Sequence, residues 1–368
     1  MHYQDDKRIV LTLDAGGTNL VFSAIQGFEE IVEPITLPTQ GENLQKCLEN
    51  IIEGFKQVKA KLKAPPVAIS FAFPGPADYP NGIIGDLTNL PGFRGGVALG
   101  PMLEEYFHLP VFINNDGDLF AYGEAIAGLL PQVNDALTQA GSPKRYQNLL
   151  GVTLGTGFGA GIVRNGELFI GDNSAGAEIW IMRNKIYPHT PVEESVSIRG
   201  IRREYAQYAK ISIEESPSPK EIFEIALGQR EGHREAGIFA YEKFGEALGD
   251  ALANAITLID GLIVMGGGLA GASPLFLPTV VKEMNQPLEW LNGTKVNRTE
   301  LQVYNLEDPK EREAFLKGSA KEILVPLSNK KKWYDPVKRV GVGISKLGTS
   351  RAVAIGAYVF ALRHLDNL

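Results

Sequence analysis

The chain has 368 residues, 44% of them hydrophobic and 21% charged, the range of an ordinary soluble globular protein, which excludes a disordered or fibrous chain. Its formal net charge of −7 is the opposite of the basic excess expected of a nucleic-acid binder. A single cysteine, Cys47, excludes a disulfide framework or a zinc site built on several thiolates, and it fits a reducing compartment.

The length predicts about two domains or one large one. Forty-one glycines, about 11% against a usual value of roughly 7%, are the excess that asks for explanation. No run reaches the roughly 18 uninterrupted apolar residues of a membrane helix. The segment MHYQDDKRIV is polar and runs directly into a strand, so neither a signal peptide nor a helix-turn-helix module is expected in front of it. A cytoplasmic enzyme without membrane or nucleic-acid partners is the expectation.

Residues 8–14, RIVLTLD, read as a strand that ends at Ala15-Gly16-Gly17-Thr18, and LVFSAI follows as a second strand, so the chain opens on a hairpin. Leu44, Leu48, Ile51, Ile52, Phe55, Val58 and Leu62 fall close to helical spacing. Cys47 lies in that helix and reads as a small core residue. After Pro65-Pro66, VAISFAF reads as a buried strand. Pro74-Gly75-Pro76 and Pro80-Asn81-Gly82 punctuate a loop ending in TNLPGF, LPVFINND is a strand running into an acidic turn, and LFAYGEAIAGLL is a helix. Residues 131–148, polar with Pro and Gly, read as a surface excursion or hinge.

At Leu149 the opening pattern returns: LLGVTLGTGFGAGIVRNG parallels VLTLDAGGTNLVFSAIQG as strand, glycine turn, strand. An internal duplication explains this, and so does the chance recurrence of glycine hairpins. An amphipathic helix carrying Ile238, Tyr241, Leu248, Leu252, Ile256 and Ile259 leads into the strand LIVM and Gly266-Gly267-Gly268. A further helix is expected with Ser273 as its N-cap and Pro274 as its first residue. After a Lys-rich stretch, in which Lys330, Lys331 and Lys332 read as a solvated turn, VGVGI leads to a last helix, AVAIGAYVFALRHL.

Successive glycines at Gly16 and Gly17, beside Thr18 and Asn19, let backbone N–H groups converge on an anion. A carboxylate at Asp14 would repel phosphate unless a divalent cation sat between them, which points to Mg2+ held directly or through water. A plain hairpin turn with glycine at positive φ accounts for the same residues. Thr153, Gly155, Thr156 and Gly157 supply a second set of donors, and two such turns would clamp a nucleotide tail. Asp116 follows the strand LPVFI, where parallel-sheet sites lie, and transfer of a phosphoryl group to an alcohol needs a carboxylate to take the hydroxyl proton. An Asn-Asp-Gly turn is the plainer reading, with Asp118 a surface neighbour. Gly266–Gly271 matches a dinucleotide fingerprint literally, but the helix is expected to start after it; such a turn can admit a purine and ribose. Glu178 and Glu193 lie in aperiodic segments, and carboxylates accept from vicinal sugar hydroxyls, although an exposed salt bridge is the default for each. Trp180 reads as a core or lobe-interface residue in preference to a sugar platform, and His189 as a loop residue in preference to a ligand.

LDAGGTN, the PGP turn, TNLPGF, NNDGD with AYGEA, TLGTGFGAGIVRNG, AGAEI, IVMGGGLA and LGTSRAVAIGA stand in the order and spacing of the ROK family of sugar kinases and repressors, which the chain resembles over most of its length. The resemblance implies an α/β, actin-like ATPase (ribonuclease H-like) fold of two lobes around a central cleft. It divides the chain into an N-terminal lobe, residues 1–118 joined by the last helix from about 350 to 368, and a larger lobe over 119–349.

It implies an ATP- and Mg2+-dependent sugar kinase acting on a hexose hydroxyl, O6 of glucose or a relative, and a homodimer. Asp116 becomes the general base, with Gly75, Asn89, Asn115, Glu178 and Glu193 on the sugar. Asp14, Gly16, Gly17, Thr18 and Asn19 form the first phosphate loop, Thr153, Gly155, Thr156 and Gly157 the second, and Gly267 and Gly268 part of the adenosine site. The chain departs from the pattern at Ile181, where the family carries a zinc-ligating histidine, and in MRNKIYPHTPVEES, which lacks the cysteines. No zinc is expected, and packing is left to order that loop. The alternatives are a sugar-responsive regulator without chemistry and, from the literal glycine fingerprint, a nicotinamide-dependent dehydrogenase.

Overall fold

A computed structural model describes residues 3–87 and 90–367; Asn89, expected on the sugar, lies outside them. The chain folds as two compact units, Met1–Ala127 with Leu168–Gly176 and Thr349–Leu368, and Gly128–Glu167 with Ala177–Gly348. None of the helices among the described residues is long and apolar enough to cross a membrane.

In the first unit β1 (Val10–Ala15) and β2 (Asn19–Gln26) form the expected antiparallel hairpin, with Asp14 opposite Val21. β3 (Ile35–Pro38) pairs with β2. α1 (Leu44–Lys61) follows, its first turn capped by the Asn43 side chain, which accepts the Lys46 N–H. β4 (Ala68–Ala72) lies parallel to β1, and after α2 (Leu99–Phe107) β5 (Val111–Asn114) lies parallel to β4. Cys47, Ile51, Phe55 and Val58, spaced for one face of α1, pack on Leu11, Leu13, Phe22, Ile69 and Phe71. The Phe22 and Phe55 rings meet edge to face at 5.1 Å. Each buried side chain of this kind contributes about 1.5–3 kcal/mol. Burial pushes the Cys47 thiol up to about 11, so it stays protonated and unreactive at neutral pH.

The other face of this sheet carries α3 (Asp116–Ala127) and the C-terminal helix Thr349–Asp366. Their backbones nearly touch. A Cβ on Gly123 would stand 1.9 Å from the Ala352 carbonyl oxygen, and one on Gly356 would stand 2.1 Å from that of Leu119. This packing keeps α3 whole in the first unit, so the division expected at residue 118 falls inside a helix and moves to 127/128.

The second unit opens on α4 (Leu129–Gln139), which buries Leu129 and Leu130 and also Val133 and Leu137, the last two within the residues 131–148 that the composition suggested were a surface excursion. β6 (Leu149–Leu154) and β7 (Phe158–Arg164) form the second hairpin. After α5 (Ile198–Ala209), α6 (Pro219–Ala226) and the long α7 (Arg234–Ile259), β8 (Leu262–Gly266) lies parallel to β6. α8 (Ser273–Asn285), β9 (Gln302–Asn305), α9 (Pro309–Lys317) and β10 (Arg339–Ile344) complete the order β7-β6-β8-β10-β9. In each unit the first strand of a hairpin pairs in parallel with a later strand, so the repeat seen in sequence is a repeat of topology.

Two local expectations fail. α8 starts at Ser273 with Ala272 as a cap that supplies no side-chain bond. Lys331 and Lys332 belong to a strand, Lys331–Tyr334, paired with Lys321–Leu324.

The contact between α3 and the C-terminal helix yields a direct test. Gly123→Ala forces these backbones apart and should lower stability by about 1–3 kcal/mol, the usual cost of overpacking, measured as a lower urea midpoint at unchanged slope. An unchanged midpoint would show that the helices have room.

Candidate functional site

In the first unit the turn between β1 and β2 is tied down by backbone bonds. The Gly16 N–H donates to the Asn19 carbonyl at 2.9 Å, the Thr39 N–H to that of Thr18 at 2.9 Å, and the Thr39 hydroxyl to that of Gly16 at 2.6 Å. Asp14, Gly16, Gly17, Thr18 and Asn19 are all exposed. Neither glycine has a positive φ, so the usual hairpin reason for glycine does not apply. A Cβ on Gly17 would meet nothing within 4 Å; the glycine there leaves open room at the backbone.

β4 and β5 end beside this turn, since Asp14 is the partner of Ala72 and Ala72 of Asn114. Asn115 links β5 to α3, and its Oδ1 accepts the Gly117 N–H at 2.8 Å, which caps the helix. Asp116 is therefore the first residue of a helix, where the plainer sequence reading was a turn. Asn115 Nδ2 lies 3.5 Å from the Tyr79 hydroxyl, which donates to the Phe73 carbonyl at 2.9 Å. Gly75, exposed, precedes a cis Pro76. Asp118 is 5% exposed and so is no surface neighbour.

Solvent reaches Asp116, yet protein atoms crowd it. That burial is the largest influence on its carboxyl and raises the pKa; the Gly117 and Asp116 backbone N–H groups pull it down, and the negative Asp14 pushes it up again. Asp14 itself forms no ion pair among the described residues. Two neighbouring carboxylates, one exposed at a strand end and lacking a cationic side chain, suit a hard divalent cation with oxygen ligands.

In the second unit two glycine turns sit at the carboxyl ends of adjacent parallel strands, β6 and β8, with Gly266 opposite Thr153. Gly155 donates to the Gly157 carbonyl at 3.0 Å, and the Ile198 N–H, at the start of α5, donates to that of Gly155 at 2.9 Å. Thr156 is exposed at the tip. Thr153 faces its cross-strand partner Gly159, whose Cβ would stand 2.6 Å from the hydroxyl. Gly267, at φ +90, presses on Leu154, whereas Gly155 and Gly268 would each place a Cβ in open space. The last two residues of the glycine fingerprint belong to a 3-10 turn, Ala270–Ala272, and α8 starts only after it, as expected for something other than a dinucleotide fold.

Glu193 lies against the turn after β6. Its Oε2 accepts the Phe158 N–H at 3.0 Å, and a Cβ on Gly157 would stand 2.8 Å from the same oxygen. Oε1 pairs with Arg199 at 3.1 Å, and Arg199 also reaches Glu194 at 2.8 Å. Glu178 is exposed and caps the 3-10 turn Ile179–Ile181, where its carboxylate accepts from the Trp180 indole. Trp180 is 37% exposed and so is no core residue. His189 is an exposed loop residue.

Sequence reasoning missed Asn184. Its side chain is fully buried, donates to Thr190 Oγ1 at 3.2 Å and Ser195 Oγ at 2.9 Å, and accepts the Ile186 N–H at 2.9 Å. The backbone adds Asn184 N–H to the Thr190 carbonyl and Val192 N–H to that of Met182. Lys185 pins the loop further through Glu283 at 2.8 Å and Glu246 at 3.3 Å. Hydrogen bonds and ion pairs join the packing of Met182, Ile186, Val192 and Val196 on the core in ordering the segment that carries Glu193. No group of three or more His, Cys, Asp and Glu side chains that could hold a metal occurs among the described residues.

A sequence model of the ROK family matches residues 10–308. The crystal structure of a glucokinase from Parabacteroides distasonis is 60% identical, with a TM-score of 0.92, and the match covers 99% of this chain and 100% of that one. A glucokinase of Thermotoga maritima is 26% identical over 307 residues, 77% of this chain and 90% of its own length. An N-acetyl-D-glucosamine kinase of Vibrio cholerae is 29% identical over 276 residues, 70% of this chain and 83% of its own.

The Asn184 hub predicts a measurable cost. Asn184→Ala strands the Ile186 N–H and the buried Ser195 hydroxyl, about 1–3 kcal/mol in sum, and hydrogen exchange at the Ile186 amide should accelerate while that of β6 and β8 changes least. Equal protection in both proteins would mean that packing holds the loop.

Proposed function

This chain belongs to the ROK family, as a phosphotransferase whose acceptor is an alcohol group, and from that premise we propose that it moves the γ-phosphoryl group of ATP to a hexose hydroxyl, O6 of glucose or of a close relative. The observation that carries the reading is the place of Asp116: an exposed carboxylate just beyond β5, at the start of α3, where the ends of β4 and β5 lie beside the glycine turn that follows Asp14.

The acceptor hydroxyl loses its proton to Asp116 as its oxygen bonds to the γ-phosphorus, and the bond from that phosphorus to the bridging oxygen breaks, leaving its electron pair on ADP. A raised pKa makes Asp116 a stronger base. Asn115 spends its carbonyl on the Gly117 N–H and one amide hydrogen on the Tyr79 hydroxyl, and keeps the other for a sugar oxygen. Glu178 and Glu193 accept from sugar hydroxyls, and Gly75 leaves the backbone accessible beside Asn115.

The open backbone at Gly17, Gly155 and Gly268 takes the phosphates and ribose, with Thr18, Asn19, Thr153 and Thr156 as neighbouring donors and Gly16, Gly157 and Gly267 allowing the turns their close approach. Mg2+, held at Asp14 through water, would supply positive charge to the phosphate oxygens.

Two kinetic results test this. Asp116→Asn should lower kcat by about 10²- to 10⁴-fold, the usual worth of a positioned base, while glucose binding measured by calorimetry changes little; near-normal kcat would remove Asp116 from the role. In the wild-type protein kcat should fall on acidification as Asp116 takes up a proton, with a midpoint above the ordinary carboxylate value because the shift is upward. A flat profile down to that ordinary value would contradict it.

A further inference from the structure

The 3-10 turn Ile179–Ile181 is anchored by Ile179, 4% exposed in the core of the second unit. With three residues per turn, neighbouring side chains leave in different directions and positions three apart share a face. Glu178 and Ile181 therefore stand on one face, and Trp180 projects beside them. Both apolar residues are open to solvent, Trp180 at 37% and Ile181 at 63%. The indole N–H is engaged by the Glu178 carboxylate, so the ring is held next to an acid group with apolar surface bare. One carboxylate oxygen is committed to the indole, and the other keeps its lone pairs for hydroxyls.

We infer that Trp180 is a specificity-determining residue that stacks on the C–H face of the acceptor sugar while Glu178 takes hydroxyls at its rim. The inference rests on the proposed kinase reading, in which Glu178 faces the acceptor. A pyranose has just this division: a polar rim of hydroxyls and two C–H faces. An aromatic ring with a fixed polar handle suits it. Equatorial hydroxyls leave both C–H faces flat, as in glucose. An axial hydroxyl stands up from one face and lifts the sugar off the ring. The axial hydroxyls of galactose and mannose protrude on the face opposite to that of allose. The platform therefore selects glucose against one of these two groups, and Ile181, sharing the face of Glu178, extends the apolar contact.

Emission and kinetics together test this. The chain has three tryptophans, and Trp290 and Trp333 lie beside and within other hairpins, so a change of emission on adding glucose without nucleotide should report Trp180. It should saturate in the wild-type protein and vanish in Trp180→Phe. Trp180→Ala should raise KM for glucose about tenfold, near the upper worth of an aromatic contact, leave KM for ATP unchanged, and narrow the preference for glucose over the disfavoured epimers. Trp180→Phe, which keeps a ring but loses the donor, should fall between. An absent emission change, one that survives in Trp180→Phe, or an unchanged glucose KM in Trp180→Ala would overturn the platform. Sugar-dependent quenching through Trp180 in a protein that releases no ADP would leave the platform standing and refute the kinase reading instead.

Discussion

A Cβ on Gly267 would stand 2.3 Å from the Leu154 carbonyl oxygen, so the turns after β6 and β8 can lie side by side only where one backbone presents no side chain to the other. The same constraint recurs wherever the candidate site is held in place. Gly157 leaves room for the Glu193 carboxylate, and Gly123 and Gly356 bring α3 against the C-terminal helix. That last contact joins the packing of Leu119 on Ala72 and the Asn115 cap in seating the first turn of α3, and with it Asp116. A second group of glycines behaves differently: Gly17, Gly155 and Gly268 meet nothing where a Cβ would be and do not have positive φ. Fold geometry does not require glycine at these three, and their backbone is left open. The glycines of the candidate site thus divide into residues that let the chain touch itself and residues whose backbone stays uncovered.

Glu193 shows how the two functions meet in one side chain. Its oxygens hold the Phe158 N–H and Arg199, so the carboxylate that the family pattern assigns to the sugar also braces the turn assigned to phosphate. The loop bearing it is closed by Asn184, whose amide meets three partners from one buried point. A neutral amide can do this because its donors and acceptor are directional and each finds a partner, which avoids the cost of an orphaned buried group.

Both hairpins, α1 and the strand ends were legible in the sequence because periodicity and glycine placement report local geometry directly. Asp116 was legible as a residue at a strand end but not as the first residue of a capped helix, since Asn-Asp-Gly serves a turn and a helix start equally well. α4 was hidden because Pro131, Gln132, Asn134 and Asp135 dominate its composition while only a narrow stripe is buried. Asn184 gave no signal at all: a lone Asn in an aperiodic loop becomes a hub only through partners up to eleven residues away. Trp180 misled because burial is the default for a large aromatic residue, and nothing in its neighbours reveals that the 3-10 turn faces it outward. Site residues that depend on side-chain partners were carried by family resemblance, and residues that depend on backbone shape were carried by the sequence itself.

The central claim is phosphoryl transfer from ATP to a hexose, and coupled ADP release measures it most directly. With the wild-type protein, ATP and Mg2+, release should be stimulated strongly by glucose, by N-acetylglucosamine to a degree set by the acceptor site, and not by sugar alcohols that lack the ring. A rate that is the same with and without every hexose tested would contradict the account.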